Sequence, residues 1–359
     1  MQATDKGQEI HHEIVKYGFE GDLIVANSLV DMYSKSGSLV EASAVFMDLE
    51  VKDVITWTSL ISGYADHGCS EEALTCYGRM QEEGVLSNNV TLICSLRACG
   101  NIKAINQGKE MHSLIVKRGL ESDASISSAL VAIYGRCQLF IEAHGVLQRQ
   151  EVEDVVSWNA LMSGYADHGL VEEAMEAFEI MQTKGLYPDS VTFICILKGC
   201  CRHKAIGSVR HVHIEIAKQG NEDELTVGNA LMDSYVKCGS LAEAEKVFNS
   251  LKVQDVISWT ALIAGYAFQG MSEIVFYLFQ KMGEQGICPD AIALQNILTV
   301  CNHSGLVDKG CTYFEAISRE YGETPTISHH NAMVDALARA GQLEEVVEML
   351  DKMPLQPDH

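Results

Sequence analysis

The sequence predicts an all-α chain, a superhelical solenoid of helix-turn-helix hairpins, and two observations carry this prediction. Trp57, Trp158 and Trp259 are each 101 residues apart, and the segments around them recur at the same spacing. Within each 101-residue block, apolar residues follow the 3.6-residue period of a helix and are interrupted at intervals by glycine. A single short hairpin cannot bury its apolar faces, so such repeats are expected to stack on one another.

The recurrence extends well beyond the tryptophans. The segment Tyr64-Ala-Asp-His-Gly68 returns as Tyr165 to Gly169 and, in degraded form, as Tyr266 to Gly270. Cys99, Cys200 and Cys301 keep the same 101-residue spacing. The period divides into three similar hairpins, which are 31, 35 and 35 residues long in the second block.

The hairpin of residues 155–189 illustrates the pattern. One face of its first helix carries, at positions i, i+3, i+4 and i+7, Trp158, Leu161, Met162 and Tyr165. This helix is expected to stop near Gly169, and Ser157 is expected to cap its amino terminus. A second helix is expected from about Val171 to Gly185, because Pro188 cannot continue it.

Composition narrows the class of protein further. The 12 cysteines lie inside apolar helical patterns of a long chain without a signal peptide, which predicts reduced, mostly buried thiols. No run of 18 or more apolar residues is present, so we expect a soluble chain with no membrane partner. The first 22 residues lack a transit-peptide composition. The formal net charge of −23 argues against a uniformly basic nucleic-acid surface.

The repeated residues, together with the closing Gly-x-x-Pro-Asp of Gly185 to Asp189 and Gly286 to Asp290, resemble pentatricopeptide repeats. The alternating hairpin lengths are similar to those of the plant subclass with P, L and S motifs, which is associated with organellar RNA editing. The resemblance implies one array over residues 1–358, of about ten repeats plus a partial first one. Its parts are L (1–22, partial), S (23–53), P (54–88), L (89–123), S (124–154), P (155–189), L (190–224), S (225–255), P (256–290), L (291–326) and S (327–358).

The resemblance also implies which residues read RNA, one base per hairpin, through the fifth and last positions of a hairpin. In the S and P hairpins these pairs are Asn27 with Asp53, Thr58 with Asn88, Ser128 with Asp154, Asn159 with Asp189, Asn229 with Asp255, Thr260 with Asp290, and Asn331 with Asp358. In the L hairpins the pairs are Ile93 with Asp123, Ile194 with Glu224, and Gln295 with Thr326, which depart from the reading pattern. We therefore expect no base selection by the L hairpins.

The chemistry of these pairs fits the resemblance. An Asn amide offers a donor and an acceptor to uracil, whereas Ile offers neither. The family's rule implies uracil for Asn with Asp, guanine for Thr or Ser with Asp, and adenine for Thr with Asn. The implied target, with the protein's amino terminus at the RNA 5′ side, is 5′-U-A-n-G-U-n-U-G-n-U-3′.

Simpler interpretations of the same residues stay open from the sequence. A polar residue on a first helix can be merely solvated, and an Asp before a helix favours the positive end of the helix dipole. Apolar residues at the second position wedge between bases in this family, but packing at the helix start explains them almost as well. Four of these residues are Ile55, Val156, Val191 and Ile257.

Phosphate contact requires basic residues on the reading side of the array. A Lys or Arg recurs at position 13 of every S hairpin, as Lys35, Arg136, Lys237 and Arg339. We expect these four to contact phosphates. The acids that begin second helices, such as Glu71, Glu72 and Glu243, would then face solvent elsewhere. Asp66 and Asp167 take position 13 in two P hairpins, which predicts modest affinity that salt weakens steeply.

The sequence offers little for catalysis. His213-Ile-Glu215 matches the first part of a cytidine deaminase signature, but no Cys-x-x-Cys follows, and His213 recurs in phase as His112 and His11. Cys94 with Cys99, and Cys195 with Cys200, recur in phase without a tetrahedral set of partners, which favours packing over metal binding. His67 and His168 end first helices, where a turn role is favoured. We predict no enzyme activity, no cofactor and no metal.

The resulting hypothesis is an array that binds single-stranded RNA and positions an organellar transcript, in plastid or mitochondrion, for C-to-U editing. The deaminase domain or accessory proteins would come from a missing carboxyl-terminal region or act in trans. The alternative, motivated by the net charge, is a protein-interaction solenoid without RNA affinity. The chain begins inside a hairpin, so we expect it to be a piece of a longer protein.

Overall fold

A computed structural model of the chain describes residues 2–19, 21–149 and 154–353. Every regular element in these ranges is a helix. The α-helices are α1 (Gln2–Lys16), α2 (Leu23–Lys35), α3 (Leu39–Asp48), α4 (Val54–Asp66), α5 (Ser70–Glu82), α6 (Asn89–Asn101), α7 (Ile105–Lys117), α8 (Ala124–Arg136), α9 (Phe140–Arg149), α10 (Val155–Asp167), α11 (Val171–Thr183), α12 (Ser190–His203), α13 (Ile206–Gln219), α14 (Leu225–Lys237), α15 (Leu241–Ser250), α16 (Val256–Phe268), α17 (Ser272–Glu284), α18 (Ala291–His303), α19 (Val307–Arg319), α20 (Ile327–Arg339) and α21 (Leu343–Asp351). A short 3₁₀ turn covers Asn221–Asp223.

The chain divides into two compact bodies, an N-terminal body of residues 1–192 and a C-terminal body of residues 193–359. In the N-terminal body the first helices α2, α4, α6, α8 and α10 pack each on the next. In the C-terminal body α14, α16, α18 and α20 do the same. Within each body, second helices pack on their own first helix and on the first helix that follows, as α3 does on α2 and α4 and α15 does on α14 and α16. Each body is therefore a stack of helical hairpins with the core between neighbouring hairpins.

Aspartates and glycines set the bounds of the helices. Asp53 and Asp255 accept backbone N–H bonds at the start of α4 and α16, and Thr56 and Ser258 complete capping boxes there. The expected capping role of Ser157 is wrong. The cap of α10 is Asp154, whose carboxylate accepts the Ser157 backbone N–H at 2.7 Å, because the acid stands just outside the helix and the serine in its first turn.

The ends of the first helices follow the prediction from His67 and His168. Each ring bonds through Nδ1 to a carbonyl one turn earlier, at Gly63 and Gly164 respectively, with a distance of 2.9 Å in both cases. The next residue, Gly68 or Gly169, has a positive φ that side chains disfavour. The turn role of these histidines is confirmed.

Two of the recurring tryptophans, Trp57 and Trp259, lie where one hairpin packs on the hairpin before it. Trp57 is fully buried and meets the Phe46 ring edge-on at 4.6 Å between ring centres. Trp259 meets Phe248 in the same way at 4.8 Å. Burying an indole removes a large apolar area from water, and edge-on ring pairs add about 1 kcal/mol. Trp57 and Trp259, which are two blocks apart, thus make the same contact with the preceding hairpin.

One helix crossing depends on the absence of side chains. A Cβ placed on Gly164 of α10 would lie 2.8 Å from the Cα of Gly135 in α8, closer than packed atoms approach. The two helices can cross at this distance only because both positions are glycine. The crossing brings the first helices of two successive hairpins together and so helps to position the surface described below.

All 12 cysteines are free thiols, as predicted. The expectation that most are buried is too strong, because five are buried, six are intermediate and Cys288 is exposed. Burial raises the pKa of the Cys99 and Cys200 thiols to about 12 in both cases, so neither is a thiolate near neutral pH. Among the helices described above, none is long and apolar enough to span a bilayer.

Candidate nucleic-acid interface

Three Asn–Asp pairs expected from the sequence meet in the structure. The Asn159 amide Nδ2 donates to the Asp189 carboxylate at 2.9 Å. Asn27 donates to both carboxylate oxygens of Asp53, each at 3.3 Å, and Asn229 donates to Asp255 at 3.2 and 3.4 Å. The two partners are 26 to 30 residues apart in sequence, and they meet because the first helix of the next hairpin, which the Asp precedes, packs on the first helix that carries the Asn. Each pair places an amide of one first helix beside the carboxylate that precedes the next first helix.

The two Thr pairs are arranged differently from one another. The Thr260 hydroxyl donates to Asp290 at 3.0 Å, so this pair also meets directly. Thr58 reaches Asn88 through the Thr91 hydroxyl, which lies 2.6 Å from the Thr58 oxygen and donates to Asn88 at 2.9 Å.

The two other expected pairs are those of Ser128 and Asn331. The Ser128 hydroxyl donates to the Ser125 carbonyl of its own helix at 3.0 Å. Asn331 is exposed on α20, and its expected partner Asp358 lies outside the described residues.

The hairpins that the sequence predicts to be of the L type show another pattern. Asp123 receives a hydrogen bond from Asn89, at the first position of the hairpin, with 2.9 Å between Nδ2 and Oδ2. In a later L hairpin the Gln295 amide lies 3.4 Å from Thr299 on its own helix, while Thr326 caps α20. The fifth-position residues Ile93 and Ile194 bring no polar group to the surface. In these hairpins the closing residue thus forms hydrogen bonds in which the fifth residue takes no part.

Hydrogen bonds keep two of the closing aspartates ionised. The pKa of Asp53 lies below its ordinary value, because bonds from Thr56, Asn27 and a backbone N–H outweigh the opposing effect of burial. The pKa of Asp189 is lowered in the same way by Thr192 and Asn159. Both carboxylates therefore act as acceptors at neutral pH and orient the amides that face them.

The second-position residues project from the helix starts. Ile24 is 77% exposed and Val90 is 53% exposed, and Ile55, Val156, Val191, Ile257 and Ile292 lie between these values. Packing at the helix start does not account for these side chains, because more than half of each one is exposed to solvent. Seven apolar residues therefore stand in solvent beside the fifth-position column, where flat apolar groups such as bases can contact them.

Most of the expected phosphate-binding residues are already paired with acids. Lys35 lies 2.7 Å from Asp31, Lys237 lies 2.6 Å from Asp233, and Arg339 lies 3.1 Å from Asp335. In each pair the acid is four residues earlier on the same helix. Arg136 has Ala132 at that place and donates to the neutral Asn101 instead. The guanidinium of Arg136 is therefore the least neutralised of the four cations.

Sequence reasoning missed a further set of polar residues. The third residue of the next hairpin supplies a hydroxyl beside the last position at Thr56, Thr91, Thr192 and Ser258, and the three threonines also contact the fifth position. The signal was present, because Asp or Asn is followed three residues later by Thr or Ser at each of these places. This spacing is also that of a helix cap, so a local explanation concealed the contact to the preceding hairpin.

The residues considered for catalysis have structural partners. His213 lies 2.8 Å from the Tyr235 hydroxyl through Nδ1, and the two rings meet edge-on. His112 with Tyr134 and His11 with Tyr33 repeat the contact, so this histidine belongs to the repeat. Within the described ranges no three His, Cys, Asp or Glu side chains come together as metal ligands.

Comparison with protein-family models matches the repeats directly. A PPR repeat family model covers residues 153–202, a PPR repeat model covers residues 24–54, 55–85, 229–256 and 328–355, and a pentatricopeptide repeat domain model covers residues 251–303. Together these matches take in more than half of the chain.

Curated relatives from Arabidopsis thaliana carry the same repeats. One pentatricopeptide repeat-containing protein is 34% identical over 99% of this chain and 51% of its own length. Another, named as mitochondrial, is 33% identical over 100% of this chain and 52% of its own length. The chain thus spans about half the length of the curated relatives it matches.

Solved structures share the fold at low sequence identity. Maize PPR10 in complex with an 18-nucleotide psaJ RNA element is 19% identical, with a TM-score of 0.51 over 97% of this chain and 58% of that chain. Yeast Rmd9p in complex with a 16-nucleotide target RNA is 11% identical, with a TM-score of 0.57 over 96% of this chain and 81% of that chain. At these identities the likeness concerns the fold alone, a stack of helical hairpins.

Proposed function

Because this chain is a pentatricopeptide repeat protein, we propose that it binds single-stranded RNA and selects one base with each S and P hairpin. The observation that carries the proposal is the recurrence of an Asn amide held against an Asp carboxylate at Asn27, Asn159 and Asn229. An amide fixed in this way offers one donor and one acceptor to a base edge. The RNA complexes of the two solved proteins of similar fold add support.

The surrounding surface is compatible with a stacked, extended strand. The exposed second-position residues, such as Ile55 and Val156, stand beside the reading pairs, where they fit between successive bases. Arg136 supplies a guanidinium without a carboxylate partner on its own helix for phosphate contact. The ion pairs of Lys35 and Lys237 limit that contribution, so affinity should be modest and fall steeply with salt.

We propose further that the array is of the P, L and S subclass and acts as a specificity factor for organellar RNA processing or C-to-U editing. The alternation of 31- and 35-residue hairpins and the non-reading L pairs support this assignment. Catalysis would come from a deaminase domain or editing proteins acting with the array. A relative named as mitochondrial is in keeping with an organellar address.

The test is fluorescence anisotropy with labelled RNA containing U-A-n-G-U-n-U-G-n-U, against a scrambled RNA of equal composition. At low salt the designed RNA should bind more tightly, and both affinities should fall as salt rises, because phosphate contacts release counterions. Failure to bind either RNA at low salt would contradict the proposal. The net charge of −23 would then favour the protein-interaction solenoid.

A further inference from the structure

The buried hydroxyls at the third position of each following hairpin bear on how the fifth-position amides are held. Thr56, Thr192 and Ser258 are each 0% exposed, so they do not touch RNA themselves. Each lies against the closing Asp of the preceding hairpin. Any influence on base choice must therefore pass through the fifth-position Asn beside them.

Thr192 completes a closed set of hydrogen bonds around Asn159. Its hydroxyl donates to the Asn159 oxygen at 2.6 Å and accepts the Asp189 backbone N–H at 3.1 Å. The hydroxyl has a single proton, and the Asn159 oxygen is nearer than the Asp189 carboxylate oxygen, which lies at 2.9 Å. Because Asn159 Nδ2 meanwhile donates to Asp189, both halves of the amide have a protein partner.

Thr56 makes the same arrangement around Asn27. Its hydroxyl lies 2.6 Å from the Asn27 oxygen and accepts the Asp53 backbone N–H at 3.2 Å. The amide Nδ2 again faces the carboxylate, that of Asp53. In two places in the N-terminal body, the same three residue types, Asn, Asp and Thr, thus hold the amide in one orientation.

Ser258 breaks the pattern in the C-terminal body. Its hydroxyl accepts the Asp255 backbone N–H at 2.8 Å but donates to the Asp255 carbonyl oxygen at 2.9 Å. The Asn229 oxygen is left buried without a hydrogen-bond partner among the described residues. A buried acceptor without a donor is unfavourable, so the Asn229 amide is held from its donor side alone.

We propose that Thr56 and Thr192 are positioning residues that fix the amide orientation for uracil, and that Ser258 leaves the amide of Asn229 less firmly set. The inference rests on the proposed function, since it concerns how the same reading pairs select a base. Uracil and cytosine present opposite donor and acceptor patterns at the edge an amide reads, so a reversed amide suits cytosine. The Asp opposes reversal of the amide in all three hairpins. In the hairpins of Asn27 and Asn159 the threonine opposes it as well.

The test compares uracil with cytosine at two bases of the designed RNA. Base 5 pairs with Asn159 and base 7 with Asn229, so RNAs with a single U-to-C change at either base report the two hairpins separately. In the parent chain the uracil preference at base 5 should exceed that at base 7. Loss of one ordinary hydrogen bond corresponds to about a fivefold change in the ratio of affinities.

Two substitutions change the hydroxyl in opposite directions. Thr192→Val keeps the volume of the side chain and removes the donor, so the uracil preference at base 5 should fall about fivefold while base 7 is unaffected. Ser258→Thr restores the arrangement seen at Thr192, so the preference at base 7 should rise by a similar factor while base 5 is unaffected. Each variant serves as the other's control.

The outcomes separate the two proposals. If the parent prefers the designed RNA and both variants leave both ratios unchanged, the positioning role is overturned and the proposed function stands. If the parent does not distinguish the designed RNA from its scramble, the proposed function fails and this inference fails with it. Should Thr192→Val unfold, the Ser258→Thr arm decides, because a gain in selectivity cannot come from misfolding.

Discussion

The hairpins of residues 89–123 and 155–189 end in the same residue type but use it differently. Both closing aspartates accept backbone N–H bonds at the start of the next helix, at Asp123 and Asp189. In the first hairpin Asp123 takes its side-chain bond from Asn89, whereas in the second Asp189 takes it from Asn159 at the fifth position. Under the proposed function, the closing acid alone therefore does not identify a hairpin that selects a base; the residue that donates a hydrogen bond to that acid does.

Replacing the fifth residue should have the largest effect on which base the hairpin of residues 155–189 prefers. Asn159→Thr should change the preference at base 5 from uracil to guanine, since a hydroxyl with an Asp acceptor suits the donor-rich edge of guanine. A change of about tenfold or more in the affinity ratio is expected from one paired base edge. Anisotropy titrations with U or G at base 5 measure it.

The matched control is Ile194→Thr in the following L hairpin. Its closing residue is Glu224, and no guanine preference should arise at base 6. An unchanged preference at base 5 after Asn159→Thr would refute the base-reading assignment.

Charge reversal should weaken binding to all RNAs alike and leave the uracil preference at base 5 unchanged. Arg136→Glu should reduce affinity several-fold, and more than Lys35→Glu, because Lys35 is already paired with Asp31. The slope of log affinity against log salt should become shallower by about one for Arg136→Glu. Titrations at three salt concentrations give both quantities. A larger loss from Lys35→Glu, or an altered uracil preference at base 5, would contradict this division of roles.

Installing an amide in an L hairpin would show whether the acid is available there. Ile93→Asn creates an Asn opposite Asp123, but Asn89 already donates to that carboxylate at 2.9 Å. We expect less than about a twofold uracil preference at base 3 from the single change, and about threefold when Asn89→Ala is added. Selectivity in the single variant equal to that at base 5 would mean that the prior pairing of Asp123 is unimportant.

Acid should weaken the reading hairpins slightly through their closing aspartates. The pKa of Asp189 is lowered in the folded chain, so its contribution to stability is present above the unfolded pKa, about 3.9, and is lost as pH falls through the folded value. Asp189→Asn keeps a good helix cap and removes this titration. Denaturant midpoints at pH 6 and pH 3 should therefore fall less in the variant than in the parent. Equal losses would show that Asp189 is not stabilised by its neighbours.

Much of this architecture could be predicted from the sequence because its causes are local. The apolar period, the glycines after first helices and the aspartates before them each act within a few residues, and they placed α10 and α11 close to their observed bounds. The prediction for Ser157 was wrong because two local cap signals compete at the start of this helix. An acid and a hydroxyl three residues apart both suit a helix start, and only the backbone shows which one stands outside the helix.

The sequence by itself determined that the chain stacks hairpins with a 101-residue block, and which columns carry Asn, Asp, apolar and basic residues. The tertiary structure alone decided that Thr192 serves Asn159 whereas Ser258 turns away from Asn229. Thr192 and Asn159 are 33 residues apart in sequence, and their separation depends on how one hairpin seats on the next. Helical periodicity is fixed by neighbours along the chain, but a hydrogen bond between hairpins is fixed by packing to within tenths of an ångström.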